Sequence, residues 1–285
     1  MLRGNFESPT NIRHHTHLKI VNLLEILTYL SAILIGFVLG LLGGGGSILS
    51  VPVFVYFLSI PAYEATAYSL FVVGVTSLAG SATYIKKKLV DLKIALLLSL
   101  PSFLGVLVSR KIVLPNLPDV LFSIGNFVIT KNLAIMILFS LLMILASISM
   151  IRKSNNRNKQ IANTRYSLFI KFFFVGVFLG LVGAGGGFLI IPSLVFFAKL
   201  EMKAAVGTSL LIIAANSLTG FFGDLTTSLV FDWNLLFLFT AFALLGILIG
   251  TKVSDYIDNR KLKPIFGWFV LVIGIYIIVK ELLLN

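Results

Sequence analysis

The chain has 285 residues, of which 58% are hydrophobic and 12% charged, with a mean hydropathy of +1.03. A soluble domain carries roughly 25% charged residues, so a water-soluble globule is excluded. The net charge of +12 is read as loop charge beside membrane spans rather than as a nucleic-acid surface, and the lack of cysteine removes disulfides, thiolate nucleophiles and thiolate metal sites.

Residues 1–25 read as a polar tail. It holds all three histidines, His14, His15 and His17, and a solvated tail rather than a metal site is the ordinary reading. The first apolar run does not end at a small-residue cleavage site, so a removable signal is not expected. From Ile26 to Tyr63 there are 38 residues without a charge. As one helix these would extend about 57 Å, far beyond the ~30 Å of a hydrocarbon core. The block is divided at GFVLGLLGGGGSILSVP (Gly36–Pro52) into Ile26–Leu42 and Ser47–Ile60. Ala65–Ile85 is the next span, closed by Lys86, Lys87 and Lys88, and Ile94–Ser109 follows, closed by Arg110 and Lys111. Residues 112–131, with Pro115 and Pro118, read as a loop, and Leu133–Ile151 is the last span before a polar, basic linker at 152–167. Between Arg152 and Lys171 there are six Lys/Arg and no Asp or Glu, which places that linker in the cytoplasm.

The pattern then recurs. Phe172–Ala198 contains GVFLGLVGAGGGFLIIP (Gly176–Pro192), and Ala204–Gly223, Trp233–Thr251 and Pro264–Val279 follow. Both glycine segments fit G-x3-G-x2-G-x-G-G-x5-P at an offset of 140 (176 − 36). At the same offset Ala65 matches Ala205, Ser69 matches Ser209, Ser77 matches Ser217 and Gly80 matches Gly220. After a one-residue shift Asp91 matches Asp232, Gly105 matches Gly246 and Lys111 matches Lys252. Polar and glycine matches in register favour duplication over chance similarity of apolar segments. The expected fold is an all-α polytopic membrane protein of two homologous halves, 26–151 and 168–285. It has eight crossings if each glycine-broken block crosses once and ten if each crosses twice. Basic loops fall at opposite parity in the two halves, and the loop from Asp224 to Asp232 has no Lys or Arg. That favours an inverted repeat over a parallel one, although the basic N-terminal tail points the other way.

The glycine clusters are not soluble phosphate loops, since no lysine follows them. Gly36/Gly40 and Gly176/Gly180 suit close helix packing. Gly43, Gly44, Gly45 and Gly46, with Gly183, Gly185, Gly186 and Gly187, are better explained by backbone that opens or approaches a solute. Pro52 and Pro192 are expected to fix the breaks. Each helix starting after a cluster presents free N–H groups and a positive dipole end, which favours an anion. Within the spans, Ser69, Thr76 and Ser77 and their counterparts Thr208, Ser209, Asn216 and Ser217 form a second set of candidates. Ordinary interhelical or back-bonded hydrogen bonds are the competing reading for each. No ionisable residue sits in the middle of an expected span, so no proton relay is anticipated. The same inventory gives no intramembrane enzyme, no metal site and no cofactor. Trp233 and Tyr84 are candidate interface anchors.

The segments GLLGGGGSILSVP (40–52), GLVGAGGGFLIIPSLV (180–195), AVGTSLLIIAANSLTG (205–220) and ATAYSLFVVGVTSLAG (65–80) resemble those of the sulfite exporter TauE/SafE family, over residues 26–284. The resemblance implies a transporter of small sulfur oxyanions such as sulfite or sulfonates. The first half departs from the second: Ala67, Tyr68 and Thr76 stand where the second has Gly207, Thr208 and Asn216. The expected function is thus a multi-pass cell-membrane permease moving a small anion by alternating access. Its partners are that solute and the bilayer, with no nucleic acid and with a homo-oligomer left open. The alternatives are an inverted-repeat anion channel and a non-transporting membrane scaffold.

Overall fold

A computed structural model describes residues 9–124, 127–151, 165–182, 187–226 and 229–283. In chain order the elements are α1 (Pro9–Leu42), α2 (Gly45–Tyr56), α3 (Ala62–Lys86) and α4 (Leu92–Val108). A π turn (Ser109–Val113) leads into the short α5 (Leu114–Asn116), then β1 (Val120–Ile124), β2 (Phe127–Thr130) and α6 (Lys131–Ile151). The second half comprises α7 (Arg165–Val182), α8 (Gly187–Phe196), α9 (Met202–Asp224), α10 (Trp233–Val253), a 3-10 turn (Ser254–Tyr256) and α11 (Asn259–Leu283). The basic linker falls at 152–164, outside the described residues, whereas part of the expected N-terminal tail is helical from Pro9.

Six helices among the described residues are long and apolar enough to cross a bilayer: Ala62–Lys86, Leu92–Asn116, Lys131–Ile151, Met202–Asp224, Trp233–Tyr256 and Pro264–Glu281. The protein is therefore an all-α polytopic membrane protein, apart from the antiparallel β1–β2 pair, which replaces part of the loop expected at 112–131. The count is below the eight to ten expected because the pieces of the two glycine-broken blocks, among them Ile26–Leu42, Gly46–Tyr56 and Tyr166–Val182, are apolar but shorter than these six. Gly43 has φ +69°, a left-handed conformation open to glycine at little steric cost. The chain reverses there, and the start of α2 returns beside α1: a Cβ at Gly46 would overlap Ile35 and Leu39. Pro52 and Pro192 lie inside α2 and α8, not at the turn.

The centre of the molecule is the pair α3 and α9. Of the apolar window of each, 72% is buried, against 33–44% for the other four spanning helices. They cross antiparallel: Gly74 faces Leu218, Gly80 faces Leu210 and Gly220 faces Leu70. The outer pair α6 and α11 is antiparallel too, with Met150 at Gly267 and Met143 at Gly274. In contrast α1 runs parallel to α10 and α4 parallel to α7. Gly36 and Gly40 lie against Ala243, Ile247 and Gly250, while Gly176 and Gly180 lie against Ser102, Val106 and Ser109. A side chain at any of these four glycines would meet the partner helix, so this G-x3-G spacing serves close packing.

The starts of α4 and α10 show how sequence fixes local geometry. Asp91 accepts from the Ile94 N–H at 3.0 Å and Asp232 from the Leu235 N–H at 3.1 Å, each filling one orphan donor of the first turn. The connections α2–α3 and α8–α9 also share a form. Ser59 and Lys199 both have φ 55°, and the Ile60 and Leu200 N–H groups reach back to the Phe54 and Leu194 carbonyls.

Candidate functional site

The turn between α1 and α2 meets the start of α8 inside the bundle. A Cβ on Gly44 would overlap the backbone of Gly187, and one on Gly187 would overlap Gly44. Two backbones touching in this way exclude any side chain at either position. Gly43 looks onto Ser209 Oγ, Val206 and Ile191, each about 3 Å from where its Cβ would stand. The N-termini of α2 and α8 therefore converge on one point, beside α9. Gly44 caps α2 without a side-chain hydrogen bond, and neither α2 nor α8 has an acidic residue in its first turn. Gly45 begins α2. Gly183, Gly185 and Gly186 lie outside the described residues.

The candidate polar residues are all buried, but their bonding differs. Ser69 Oγ lies 2.5 Å from Ser50 Oγ, and Ser50 donates to the Ser47 carbonyl at 2.7 Å. Ser50 was not foreseen. Thr76 donates back to the Val72 carbonyl at 2.6 Å and Ser209 to the Val206 carbonyl at 2.8 Å, as expected of hydroxyls that bond their own helix. Asn216 is held against Ser102 of α4, with contacts of 3.1 and 3.0 Å from its two amide atoms. Thr208 Oγ1 accepts the Asp91 N–H at 3.0 Å. Ser77 Oγ and Ser217 Oγ are buried without a hydrogen-bond partner among the described residues.

The structure adds two features at opposite ends of the α3–α9 pair. At the C-terminal end of α3, Tyr84 is buried, its hydroxyl donating to the Gly40 carbonyl at 2.9 Å and lying 2.9 Å from Ser254 Oγ. It is not an interface anchor. Lys87 beside it pairs with Asp255 at 2.7 Å and donates to the Thr251 carbonyl. At the C-terminal end of α9, Asp224 pairs with Arg110, and neither side chain has any solvent exposure. Arg110 was expected to close its span. The helix instead continues past it through the π turn to Asn116.

Sequence comparison bears on what this bundle does. The profile of the sulfite exporter TauE/SafE family matches residues 28–277. The chain is 30% identical over 267 residues to the "Probable membrane transporter protein" of Xylella fastidiosa (strain Temecula1), covering 89% of this chain and 94% of that one. It is 26% identical over 282 residues to the "Probable membrane transporter protein YunE" of Bacillus subtilis (strain 168), covering 88% and 98%. A segment is 33% identical over 115 residues to the "Probable membrane transporter protein MJ0441" of Methanocaldococcus jannaschii, covering 38% and 43%. No solved structure matches the chain.

Proposed function

We propose that this chain, which belongs to the sulfite exporter TauE/SafE family, moves a small anion between two inverted halves. Membership makes it a multi-pass membrane transporter of the cell membrane and not an enzyme. A sulfur oxyanion or organosulfonate is the cargo we favour, on the strength of the family's description.

The observation that carries the anion reading is the meeting of Gly44 and Gly187. The N-terminal end of a helix carries roughly half a positive elementary charge. Two such ends at one point make a positive site without a fixed cation. That suits an anion that must bind and then leave. Gly43–Gly46 and Gly183–Gly187 supply backbone donors in this reading, and Ser69, Thr76, Ser77, Ser209, Asn216 and Ser217 line the approach.

Inversion is supported by helix direction. Matched elements run antiparallel, α3 against α9 and α6 against α11, as a two-fold axis in the membrane plane requires. Each broken block is then a hairpin of short helices entering from its own side. Alternating access follows if one half rocks against the other around Gly44 and Gly187.

The test is uptake of sulfite, sulfate and methanesulfonate by purified protein in liposomes, with and without a membrane potential. Saturable flux of at least one anion is expected, together with its loss in Gly44→Leu, whose side chain has no room beside Gly187. Flux that does not saturate marks a channel. If folded protein moves no sulfur anion, the substrate class falls.

A further inference from the structure

Arg110 is fully buried and tops the large side chains without solvent exposure. Its Nη1 stands 3.2 Å from Asp224 Oδ2, an ion-pair distance without the alignment of a hydrogen bond. Its Nε and Nη2 have no hydrogen-bond partner among the described residues. A buried guanidinium left with idle donors is costly, and apolar residues of similar volume often replace such pairs without loss of stability. The fold itself does not demand the pair. At the matching place in the other half stand Tyr84, in register with Asp224, and Thr251, in register with Arg110. There the helix ends are joined by neutral hydrogen bonds of Tyr84 with Gly40 and Ser254.

Three further observations give the pair a setting. Arg110 sits on the π turn, a wide turn found frequently at functional sites. It ends a seam along α4 and α9 that begins with Ser102 and Asn216, passes Val106 and Gly220, and closes at Asp224. That seam leads from the neighbourhood of the buried amide to one end of the bundle. A second cation, Lys131, stands at the same end, donating to the Leu114 carbonyl at 2.7 Å.

We infer that Arg110 is a binding residue for the transported anion and that Asp224 is its counter-ion between transport events. The inference rests on the anion reading above. The idle Nε–Nη2 edge is a two-donor fork that matches two oxygens of one oxyanion. An oxyanion arriving at this end takes that edge, and its negative charge competes with the Asp224 carboxylate on Nη1 for the one guanidinium, so that contact loosens. The site therefore selects oxyanions over halides.

Proteoliposome uptake of sulfite and methanesulfonate, and anion-dependent melting in detergent, test this with three variants. Arg110→Lys keeps the charge but loses the fork, and KM is expected to rise about tenfold or more. Asp224→Asn removes the competing carboxylate, so KM falls and sulfite raises the melting temperature more steeply than in the wild type. The double variant Arg110→Met, Asp224→Leu removes both charges, melts no lower than the wild type and is expected to lose about 100-fold in kcat/KM. If that double variant transports at the wild-type rate, the pair is structural and the inference is overturned. If the wild type itself moves neither sulfite, sulfate nor methanesulfonate, the anion reading has failed, a result distinct from an active wild type with an active double variant.

Discussion

Tyr68 and Thr208 hold matching positions and do one job with different side chains. Each hydroxyl accepts the backbone N–H of the aspartate that caps a long helix of the other half: Tyr68 from Asp232 at 2.6 Å, Thr208 from Asp91 at 3.0 Å. The departure of Tyr68 from the second-half pattern is thus a substitution that keeps an acceptor in place. The sequence pattern makes Thr208 a candidate solute ligand, yet its oxygen is engaged in this anchor. On the anion reading Ser77 and Ser217, whose hydroxyls have no partner among the described residues, are the better candidates for ligands. These two cases predict opposite behaviour. Thr208→Val strands a backbone N–H and is expected to lower stability by about 1–3 kcal/mol, with KM unchanged in the folded fraction. Ser77→Ala removes an unsatisfied buried hydroxyl, so stability holds or rises while KM for the transported anion increases. Chemical denaturation in detergent, beside liposome uptake, separates them. A raised KM in Thr208→Val at wild-type stability would return Thr208 to the solute path. Spacing along the sequence showed that Ser69 and Ser77 share a helix face. It could not show that Ser50 and Ser102 would meet Ser69 and Asn216, because those partners come from other helices.

At the scale of elements, the glycine clusters were legible because four consecutive glycines weaken a helix by roughly 1 kcal/mol each. The reversal at Gly43 was not, since the same composition suits a kinked crossing. The β1–β2 pair was missed although its strands, VLFSI and FVIT, flank Gly125-Asn126, a hairpin signal that the two nearby prolines outweighed. The end of α4 was misjudged for a physical reason. A charge after an apolar run reads as a water boundary, and only the approach of Asp224 makes Arg110 tolerable inside. The antiparallel register of α6 and α11 is a feature the sequence offers no direct sign of, and it can be tested cleanly in a chain without cysteine. A Cβ at Gly274 would lie 3.2 Å from Met143 Cβ, close to the ~3.5–4.5 Å that a disulfide bridges. Met143→Cys with Gly274→Cys should therefore cross-link within one chain on mild oxidation, read as a shift on non-reducing gels. Met143→Cys with Gly267→Cys should not. Cross-linking of the second pair in preference to the first would break the register.

At the scale of the molecule, contacts sort the helix ends among the described residues to one of two ends. One end gathers the C-termini of α2 and α11 through Tyr56 and Glu281 (2.7 Å), and the N-termini of α3 and α6 through Tyr63 and Asn132 (3.2 Å). It also holds the ends of α4 and α9 through Arg110 and Asp224. The opposite end gathers the turn after α3 with the end of α10 through Lys87 and Asp255, and the starts of α4 and α9 through Asp91 and Thr208. Lys86, Lys87, Lys88, Lys93, Lys199, Lys203, Lys252 and Lys261 all belong to this second end, as does the start of the basic linker after α6. The first end has Glu64, Asp119, Asp224, Asp232 and Glu281 against Arg110, Lys111, Lys131 and Lys280. By the positive-inside rule a bias of this size predicts that the second end faces the cytoplasm. Since α1 runs parallel to α10, its N-terminus is then expected at the outer end despite Arg3, Arg13 and Lys19. Parallel repeats would instead leave the N-terminus and the linker on one side. Single cysteines at Ser8, Ser154 and Thr226 decide between the two arrangements. In intact cells a membrane-impermeant maleimide should label Ser8→Cys and Thr226→Cys at once and Ser154→Cys only after permeabilisation. Labelling of Ser8→Cys and Ser154→Cys together, from either side, would remove the inverted topology. The two glycine hairpins would then enter from the same face, and their helix ends could not serve as the two sides of one alternating site.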